Sequence, residues 1–504
     1  MNAASSFIQT LRPRSMRLAR PLVLTALTLA LAACASSRGL APQGTVLDAS
    51  QLRAERTLAQ AGLSPAAWPA SDWWRALGDA QLNALIGEGL QHSPSLDAAD
   101  ARLRQAQARI GTAQADRGPS LSVSGGYAGV QLPESVAGAE RGGRFGGNGQ
   151  LVVDFRYGVD LWGGKRAAWE AAVDTAHAAE VDAQAARLNL SAAIAEAYAQ
   201  LDYAWRLHDV ADEELARSRK TVELTQQRRS AGIDSDLQLR QAQARVPAAQ
   251  QQVQSAQQQI DEARNALAAL LGQGPDRGLD IARPVLGATI AAQLPSNLPA
   301  DLLGRRPDVV AARWRVEAAD KDITTAKTRF YPSFNIIALG GVVNRDVGQL
   351  LESASVFGVV APALSLPIFD GGKLRASLAG SDAQYDLAVA DYNQKVIAAL
   401  REVADQANAV RSLEQRARAQ DDAVQTAAAA FDLAQQRYRA GIGGYLDVLS
   451  VQEQLLVARQ RMAGLQSQQL LASVMLQRAL GGGFTPEPAR DTAHTAPTSA
   501  QPNS

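Results

Sequence analysis

Most of the chain carries apolar or small residues at alternating gaps of three and four, which is the spacing of a coiled-coil seam. Residues 96–113 show this spacing over a helix of medium length. A much longer seam runs from Val389 to Tyr438. Counted from Arg375, it predicts a helix of about 65 residues, which is about 100 Å at 1.5 Å per residue.

The long helix is predicted to end at RAGIGG, where Gly441 can adopt the left-handed conformation that terminates helices. The chain then returns through a second helical seam. The first half of the chain repeats this arrangement, with a turn at SAGID around Gly232. Pro247 is expected to bend the first return helix near its start.

One stretch departs from the helical pattern. Residues 150–165, QLVVDFRYGVDLWGGK, are apolar at every second position, which predicts a strand with two unlike faces. We expect one face to contact lipid and the other to face water. The predicted lipid-facing residues are Leu151, Val153, Phe155, Tyr157 and Val159, and the predicted water-facing residues are Gln150, Asp154, Arg156 and Asp160. Phe155, Tyr157 and Trp162 are candidates for interfacial aromatic girdles.

Three other stretches predict strands: LSVSGGYAG from residue 121, SFNIIALGGVV from 333 and SVFGVVAPALSLPIF from 355. Pro362 confines the last of them to an edge, a bulge or a bend. Because open sheet edges are not stable in lipid, four membrane strands require a barrel shared between copies. Two copies would supply eight strands and three would supply twelve, and we favour three.

The chain consists of two similar halves. QQRRSAGIDSDLQLRQAQ (226–243) aligns with QQRYRAGIGGYLDVLSVQ (435–452) at an offset of 209 residues. We predict a signal peptide (1–33), an acylated linker (34–70), a first structural repeat (71–285), a second (286–482) and a disordered tail (483–504).

The N-terminus indicates export. Arginines precede a short apolar run that ends in LAAC, and Cys34 is the single cysteine of the chain. This pattern is similar to a bacterial lipobox, in which the cysteine is acylated. Ala35 follows in place of the aspartate that would favour the inner membrane, so we expect a palmitate-bearing outer-membrane lipoprotein. Translation could begin at Met1 or Met16.

Composition excludes several classes of function. The 50 basic and 50 acidic residues give zero net charge, so nucleic acid is not expected as a partner. The four scattered histidines have no metal-ligand spacing, and we predict no metal, cofactor or catalytic residue. GGK at 163–165 lacks the phosphate-loop spacing, and no GxSxG is present, so an enzyme is not expected.

Four segments resemble the signatures of the outer-membrane factors, the TolC-like family, and in particular its efflux lipoproteins of the OprM and NodT type. They are DWWRALGDAQLNALIGEGLQHSPSL (72–96), NLPADLLGRRPDVVAAR (297–313), FYPSFNI (330–336) and PIFDGGKLRAS (367–377). The resemblance implies a mainly α fold with a membrane β-barrel, in a homotrimer with twelve barrel strands and an α-helical periplasmic tunnel. It also implies docking to a periplasmic adaptor (membrane fusion protein) and an inner-membrane pump of the RND type.

The resemblance further implies a pore gate at the far helical turns. Asp447 matches the first acidic gate position of the family, the second falls on Ser450, and Tyr438 is retained. The family's Arg and Asp latch positions fall on Gly443 and Gln238, so the latch is expected to differ. Asp234 and Asp236 are candidates for additional gate charge, and Gly232 and Gly441 for the tip turns that meet the adaptor.

Three functions stay open at this level. The first is an exit duct for drugs or other small molecules in a tripartite efflux system. The second is the outer-membrane duct of a type I protein secretion system, which uses the same architecture. The third is a structural coiled-coil lipoprotein of the envelope without a pore.

Overall fold

A computed structural model describes residues 36–48, 52–54, 56–57, 64–65, 67–131, 133–140, 143, 145–286, 293–295 and 298–485. The predicted signal peptide, Cys34 and the tail from residue 486 onward lie outside these ranges. Among the helices in the described ranges, none has the length and apolar character needed to cross a bilayer.

The longer elements follow one another in the same order in both halves of the chain: two helices, two strands with a short helical connection between them, a long helix and a return helix. The first half contains β1 (Ser64–Pro65), a 3₁₀ helix (Trp73–Leu77), α1 (Ala80–His92), α2 (Pro94–Ala115), β2 (Ser120–Gln131), α3 (Glu134–Ala137), β3 (Phe145–Val159), α4 (Gly164–Ser230), α5 (Asp236–Leu270) and α6 (Asp276–Leu279). The second half contains β4 (Gln293–Leu294), α7 (Leu298–Arg305), α8 (Pro307–Thr328), β5 (Ser333–Asn344), two 3₁₀ turns (Val347–Gln349 and Ser353–Ser355), β6 (Val356–Ser365), α9 (Lys373–Arg439) and α10 (Tyr445–Ala479).

Three pairs of corresponding helices in the two halves have equal lengths. The helices before the strands, α2 and α8, have 22 residues each. The long helices α4 and α9 have 67 each, and the return helices α5 and α10 have 35 each. The predicted rod of about 65 residues is therefore present in both halves. A duplicated unit would produce such matched lengths, and the repeat boundaries at 71, 286 and 482 stay predictions. Helix α5 continues through Pro247.

The seam predicted for α9 is buried as expected. Val396, Val403 and Val410 are all shielded from solvent. Gln406, which interrupts the seam in the sequence, is followed by a fully buried Ala407. The alternating spacing thus correctly identified the face of α9 that packs against other helices.

The four longer strands form one antiparallel sheet in the order β2-β3-β5-β6. Residues directly opposite each other share a face, so the register can be followed across all four strands: Leu121 lies opposite Phe155, which lies opposite Ala338, which lies opposite Val360. Through the middle of the sheet this face carries only apolar side chains, tyrosines and glycines. Its side chains are Leu121, Val123, Tyr127, Leu151, Val153, Phe155, Tyr157, Val159, Phe334, Ile336, Ala338, Val342, Val356, Val360, Pro362 and Leu364.

The opposite face of the sheet carries its only two charged residues, Asp154 and Arg156, which form a 2.7 Å ion pair. The predicted division of β3 into an apolar and a polar face therefore agrees with the register. Pro362 lies on β6, which is an edge strand of this sheet within the chain.

The predicted strand extends too far at its C-terminal end. In the structure β3 ends at Val159. Asp160 accepts hydrogen bonds from the backbone amides of Lys165 and Arg166 at 3.2 and 2.9 Å. Asp160 is therefore not a water-facing strand residue. It satisfies amide groups in the first turn of α4, which have no acceptor within the helix. Trp162 also lies beyond the strand, where its indole N–H donates to the Pro332 carbonyl at 2.7 Å.

The described residues divide into two compact units. The first comprises the described residues of 36–45, 105–176 and 315–390 and contains the four-stranded sheet. Its buried cluster includes Ile323, Phe330 and Leu378, against which Leu40 packs. In the same unit, Asp386 on α9 accepts hydrogen bonds from the backbone amides of Gln43 and Gly44 at 2.8 and 2.6 Å.

The second unit comprises the described residues of 46–104, 177–314 and 391–485. Within it, the RRPDV segment is anchored by the side chain of Arg306, which is 12% exposed. Arg306 pairs with Asp308 at 2.9 Å and with Glu402 at 2.7 Å, and it donates to the Ala479 carbonyl at 3.0 Å. A single arginine therefore joins the start of α8 to α9 and to the C-terminal end of α10.

Candidate functional site

Each long helix ends in the same glycine turn. Gly232 and Gly441 have φ values of 73° and 82°, in the left-handed region. In the first turn Ile233 N–H donates to the Arg228 carbonyl and Gly232 N–H to the Arg229 carbonyl, both at 2.9 Å, and the second turn repeats this pattern. This is the Schellman arrangement, which requires a positive φ at the glycine. The predicted helix-terminating role of both glycines is confirmed, and their role in docking stays a prediction.

Both turns expose equivalent apolar side chains. Ile233 and Leu237 in the first turn correspond to Ile442 and Leu446 in the second, at the same offset of 209, and all four are more than half exposed. Isolated exposed apolar residues are common, but a matched pair at each of two tips is a feature of an interaction surface.

Tyr438 lies in a buried polar cluster at the same end of the helices. It is fully buried, its hydroxyl donates to Asp234, and the hydroxyl of Thr225 lies 3.1 Å from it. Arg228 pairs with Asp234 at 3.0 Å, donates to the Tyr438 carbonyl and places its guanidinium carbon 4.2 Å from the centre of the Tyr438 ring. We call these four residues, Thr225, Arg228, Asp234 and Tyr438, the latch cluster.

The electrostatics of the latch cluster stabilise its ion pair and its hydrogen bonds. The hydrogen bonds that Arg228 donates to Asp234 raise the pKa of Arg228, so the guanidinium stays charged. Burial, followed by the nearby Asp234 carboxylate, raises the pKa of Tyr438 to about 12. The phenol is therefore neutral and able to donate at all physiological pH values.

The candidate gate acids have different environments. The side chain of Asp234 is only 5% exposed and its charge is neutralised by Arg228, so it adds no free charge to the turn in this conformation. Asp236 is exposed and pairs with Arg229 at 2.6 Å. Asp447 is exposed in the first turn of α10, where it accepts the Gly444 amide at 3.0 Å. Its assignment as a gate residue stays a prediction.

Sequence reasoning identified Tyr438 and Asp234 but missed Arg228 and Thr225, which complete the cluster. A signal was available, because Thr225 and Arg228 are three residues apart on α4 and therefore share a face. The family latch positions Gln238 and Gly443 do not take part. Gln238 instead accepts the Ser235 amide at 2.6 Å, as a helix cap.

The comparison with known families decides the class of the protein. The model of the family described as "Outer membrane efflux protein" matches residues 85–273 and 298–482. The chain belongs to the outer membrane efflux protein family. The two matched ranges cover most of the described residues and contain both long helical hairpins.

Relatives of this family member include the fusaric acid resistance protein FusA of Burkholderia cepacia, which is 36% identical over 374 residues and covers 72% of this chain and 69% of that protein. The probable efflux pump outer membrane protein TtgC of Pseudomonas putida is 31% identical over 417 residues, with 82% and 85% covered. Among solved structures, the outer membrane protein VceC of Vibrio cholerae has a TM-score of 0.77 and 38% identity, over 83% of this chain and 100% of that chain. The outer-membrane channel OprN has a TM-score of 0.77 and 28% identity, with 89% and 98% covered.

These matches confirm the predicted family and fold class, which is mainly α with four membrane-barrel strands contributed by each chain. They also confirm, at the level of the family, that this member is an efflux protein of the outer membrane.

Proposed function

We propose that the protein is the outer-membrane exit duct of a tripartite efflux system, that it works as a homotrimer, and that it passes small molecules supplied by a periplasmic adaptor and an inner-membrane pump of the RND type. One observation carries the proposal. The four-stranded sheet has a continuous, solvent-exposed apolar face, with Leu121 69% and Val360 74% exposed, and the polar side chains of β3 lie on the other face.

An apolar face of this kind fits lipid, but the sheet has two open edges, β2 and β6. In hydrocarbon each unpaired backbone N–H or C=O group costs several kcal/mol, so the edges must pair. Pairing β6 of one copy with β2 of the next satisfies both edges. Three copies give twelve strands, which leave room for a lumen, whereas an eight-stranded barrel is filled by its own side chains.

The long helices would continue the lumen away from the membrane. Each chain contributes two helices of 67 residues and two of 35, so three copies contribute twelve. At the far end, three copies of Asp447 would surround the opening and favour cations over anions. The latch cluster would hold that end closed.

We further propose that Cys34 carries the lipid anchor. Cys34 itself lies outside the described residues, but the chain just after it is held in place: Arg375, near the start of α9, donates to the carbonyls of Ser36 and Arg38. Since α9 begins eight residues after the last strand residue, Ser365, this contact would bring the anchor to the end of the sheet.

The adaptor is proposed to bind the apolar tip turns. The double substitution Ile233→Asp and Ile442→Asp places charge on both tip turns and leaves the two positive-φ glycines unchanged. We expect the double variant to fail to restore drug resistance to a deletion strain. Leu279 is an exposed apolar residue outside both tip turns, so Leu279→Asp is the matched control and should restore resistance fully.

Two measurements on the purified protein test the duct directly. Native mass spectrometry in detergent should give a trimer, and planar lipid bilayers should show single-channel conductance. A stable monomer at every concentration would contradict the proposal. A deletion strain with normal drug susceptibility but impaired protein export would favour the secretion duct instead.

A further inference from the structure

A row of polar residues lies buried along the last third of α4. Its members, which we call the polar row, are Glu214, Ser218, Thr221, Thr225 and Arg228. They follow one another at gaps of four, three, four and three, and each is less than a tenth exposed. This is the spacing of a coiled-coil seam, whose positions are normally apolar.

The polar row faces the second hairpin. The side-chain amide of Gln452 on α10, itself 2% exposed, donates to Glu214 at 2.5 Å and to Ser218 at 3.3 Å. Further along, Thr225 contacts the hydroxyl of Tyr438 on α9, within the latch cluster. The row therefore follows the contact between α4 and the α9–α10 hairpin. Its last two members, Thr225 and Arg228, belong to the latch cluster.

The hydroxyl groups of the row also have partners within α4. Thr221 donates to the Arg217 carbonyl at 3.0 Å, and Thr225 donates to the Thr221 carbonyl at 2.8 Å. Glu214 is paired with Arg217 at 3.2 Å in addition to its bond from Gln452. These groups keep a hydrogen-bond partner on their own helix if the second hairpin moves away.

Four of the five members of the row are specific to the first repeat, whereas Arg228 aligns with Arg437. At the same offset of 209 residues, α9 carries Ala423, Ala427, Ala430 and Ala434 where α4 carries Glu214, Ser218, Thr221 and Thr225. The two helices have the same length and end in the same turn, so repeat architecture does not account for the polar residues.

We propose that the polar row is a wettable seam, along which the tip half of the α9–α10 hairpin separates from α4 when the channel opens. An apolar seam would have to expose buried methyl groups to water, which is unfavourable. A row of hydroxyl, amide and carboxylate groups exchanges protein partners for water at a small net cost. The inference rests on the proposed duct function, because it concerns the opening of that duct.

The experiment makes the seam apolar and records single-channel opening in planar bilayers. Thr221→Val replaces a hydroxyl by a methyl group of similar shape, and because this methyl must become wet on opening, the open population should fall about fourfold. The double variant Glu214→Leu with Gln452→Leu replaces the acceptor and the donor together. Arg217 loses Glu214 but keeps its pair with Glu213 at 3.2 Å, so no buried charge is left unpaired. The double variant should lower the open population at least about tenfold. Ala430→Val places the same side chain, valine, at the equivalent position of α9 and should leave opening unchanged.

Each outcome has a definite meaning. Unchanged or increased opening in Thr221→Val, in protein that is trimeric by native mass spectrometry, would overturn the seam. This single variant decides the question if the double variant does not fold. A parent protein without any conductance would overturn the duct function, and the seam with it, whereas a conducting parent whose variants match Ala430→Val would overturn the seam alone.

Discussion

The proposed role of the latch cluster in holding the tip closed can be tested with one substitution. Tyr438→Phe removes only the hydroxyl that donates to Asp234 and contacts Thr225, and it keeps the ring that lies under the Arg228 guanidinium. The ion pair between Arg228 and Asp234 also stays in place. The substitution therefore removes one hydrogen bond from a cluster that is otherwise intact.

The expected effect follows from the ionised partner. A hydrogen bond to a charged group contributes about 1.5–3 kcal/mol net. If opening breaks this bond, its absence should shift the closed–open equilibrium toward the open state by about 10- to 150-fold. Single-channel recording in planar bilayers measures the shift directly. Tyr392→Phe, at a second buried tyrosine on α9, provides the matched control.

The pH dependence gives an independent test of the same bond. The pKa of Tyr438 is raised to about 12 in the closed cluster, so this cluster favours the neutral phenol. Its contribution is complete below the ordinary tyrosine pKa of about 10 and is lost as the pH rises through 12. The parent should open more readily across this window, and Tyr438→Phe should lack that component. Equal opening in Tyr438→Phe and Tyr392→Phe at neutral pH would refute the latch as described.

Two further predictions concern stability and the N-terminal segment. Burial acts to raise the pKa of Asp308, but the hydrogen bonds and charge of Arg306 outweigh it and hold that pKa below its usual value. Thermal unfolding should therefore show stability falling as the pH drops below about 4. The variant Asp308→Asn should lack much of this fall, whereas the control Asp236→Asn, at an exposed site, should keep it. A Cβ on Gly44 would lie 3.0–3.1 Å from side-chain and main-chain atoms of α9. Gly44→Ala should therefore displace the segment and break the two hydrogen bonds that the Gln43 and Gly44 amides donate to Asp386, of about 1.5–3 kcal/mol each. Limited proteolysis between residues 36 and 48 should then be at least about tenfold faster than in the parent. The control Gln43→Ala keeps both backbone amides and should be cleaved at the rate of the parent. Equal rates in the two variants would contradict this role of Gly44.

The sequence by itself determined those features that depend on local backbone geometry. The three-and-four spacing correctly identified α9 and its buried face, since side chains that recur at that spacing lie on one side of a helix. The alternation around Phe155 identified β3 and its two faces for the equivalent reason in a strand. Gly232 and Gly441 were recognised as helix ends because few other residues tolerate a positive φ.

The tertiary structure decided which distant residues meet. Arg228 and Tyr438 are about 200 positions apart, and no periodic pattern links them, yet they form the core of the latch cluster. Asp160 continues the alternation of β3 but caps a helix, because the amide groups of α4 need an acceptor at that point. Periodicity records which side of an element is covered, whereas hydrogen-bond partners depend on the positions that the whole fold gives to elements far apart in the chain. The longer helices and the four strands of the sheet could therefore be predicted from the sequence, while the latch cluster and the polar row became visible only once α4 was packed against α9 and α10.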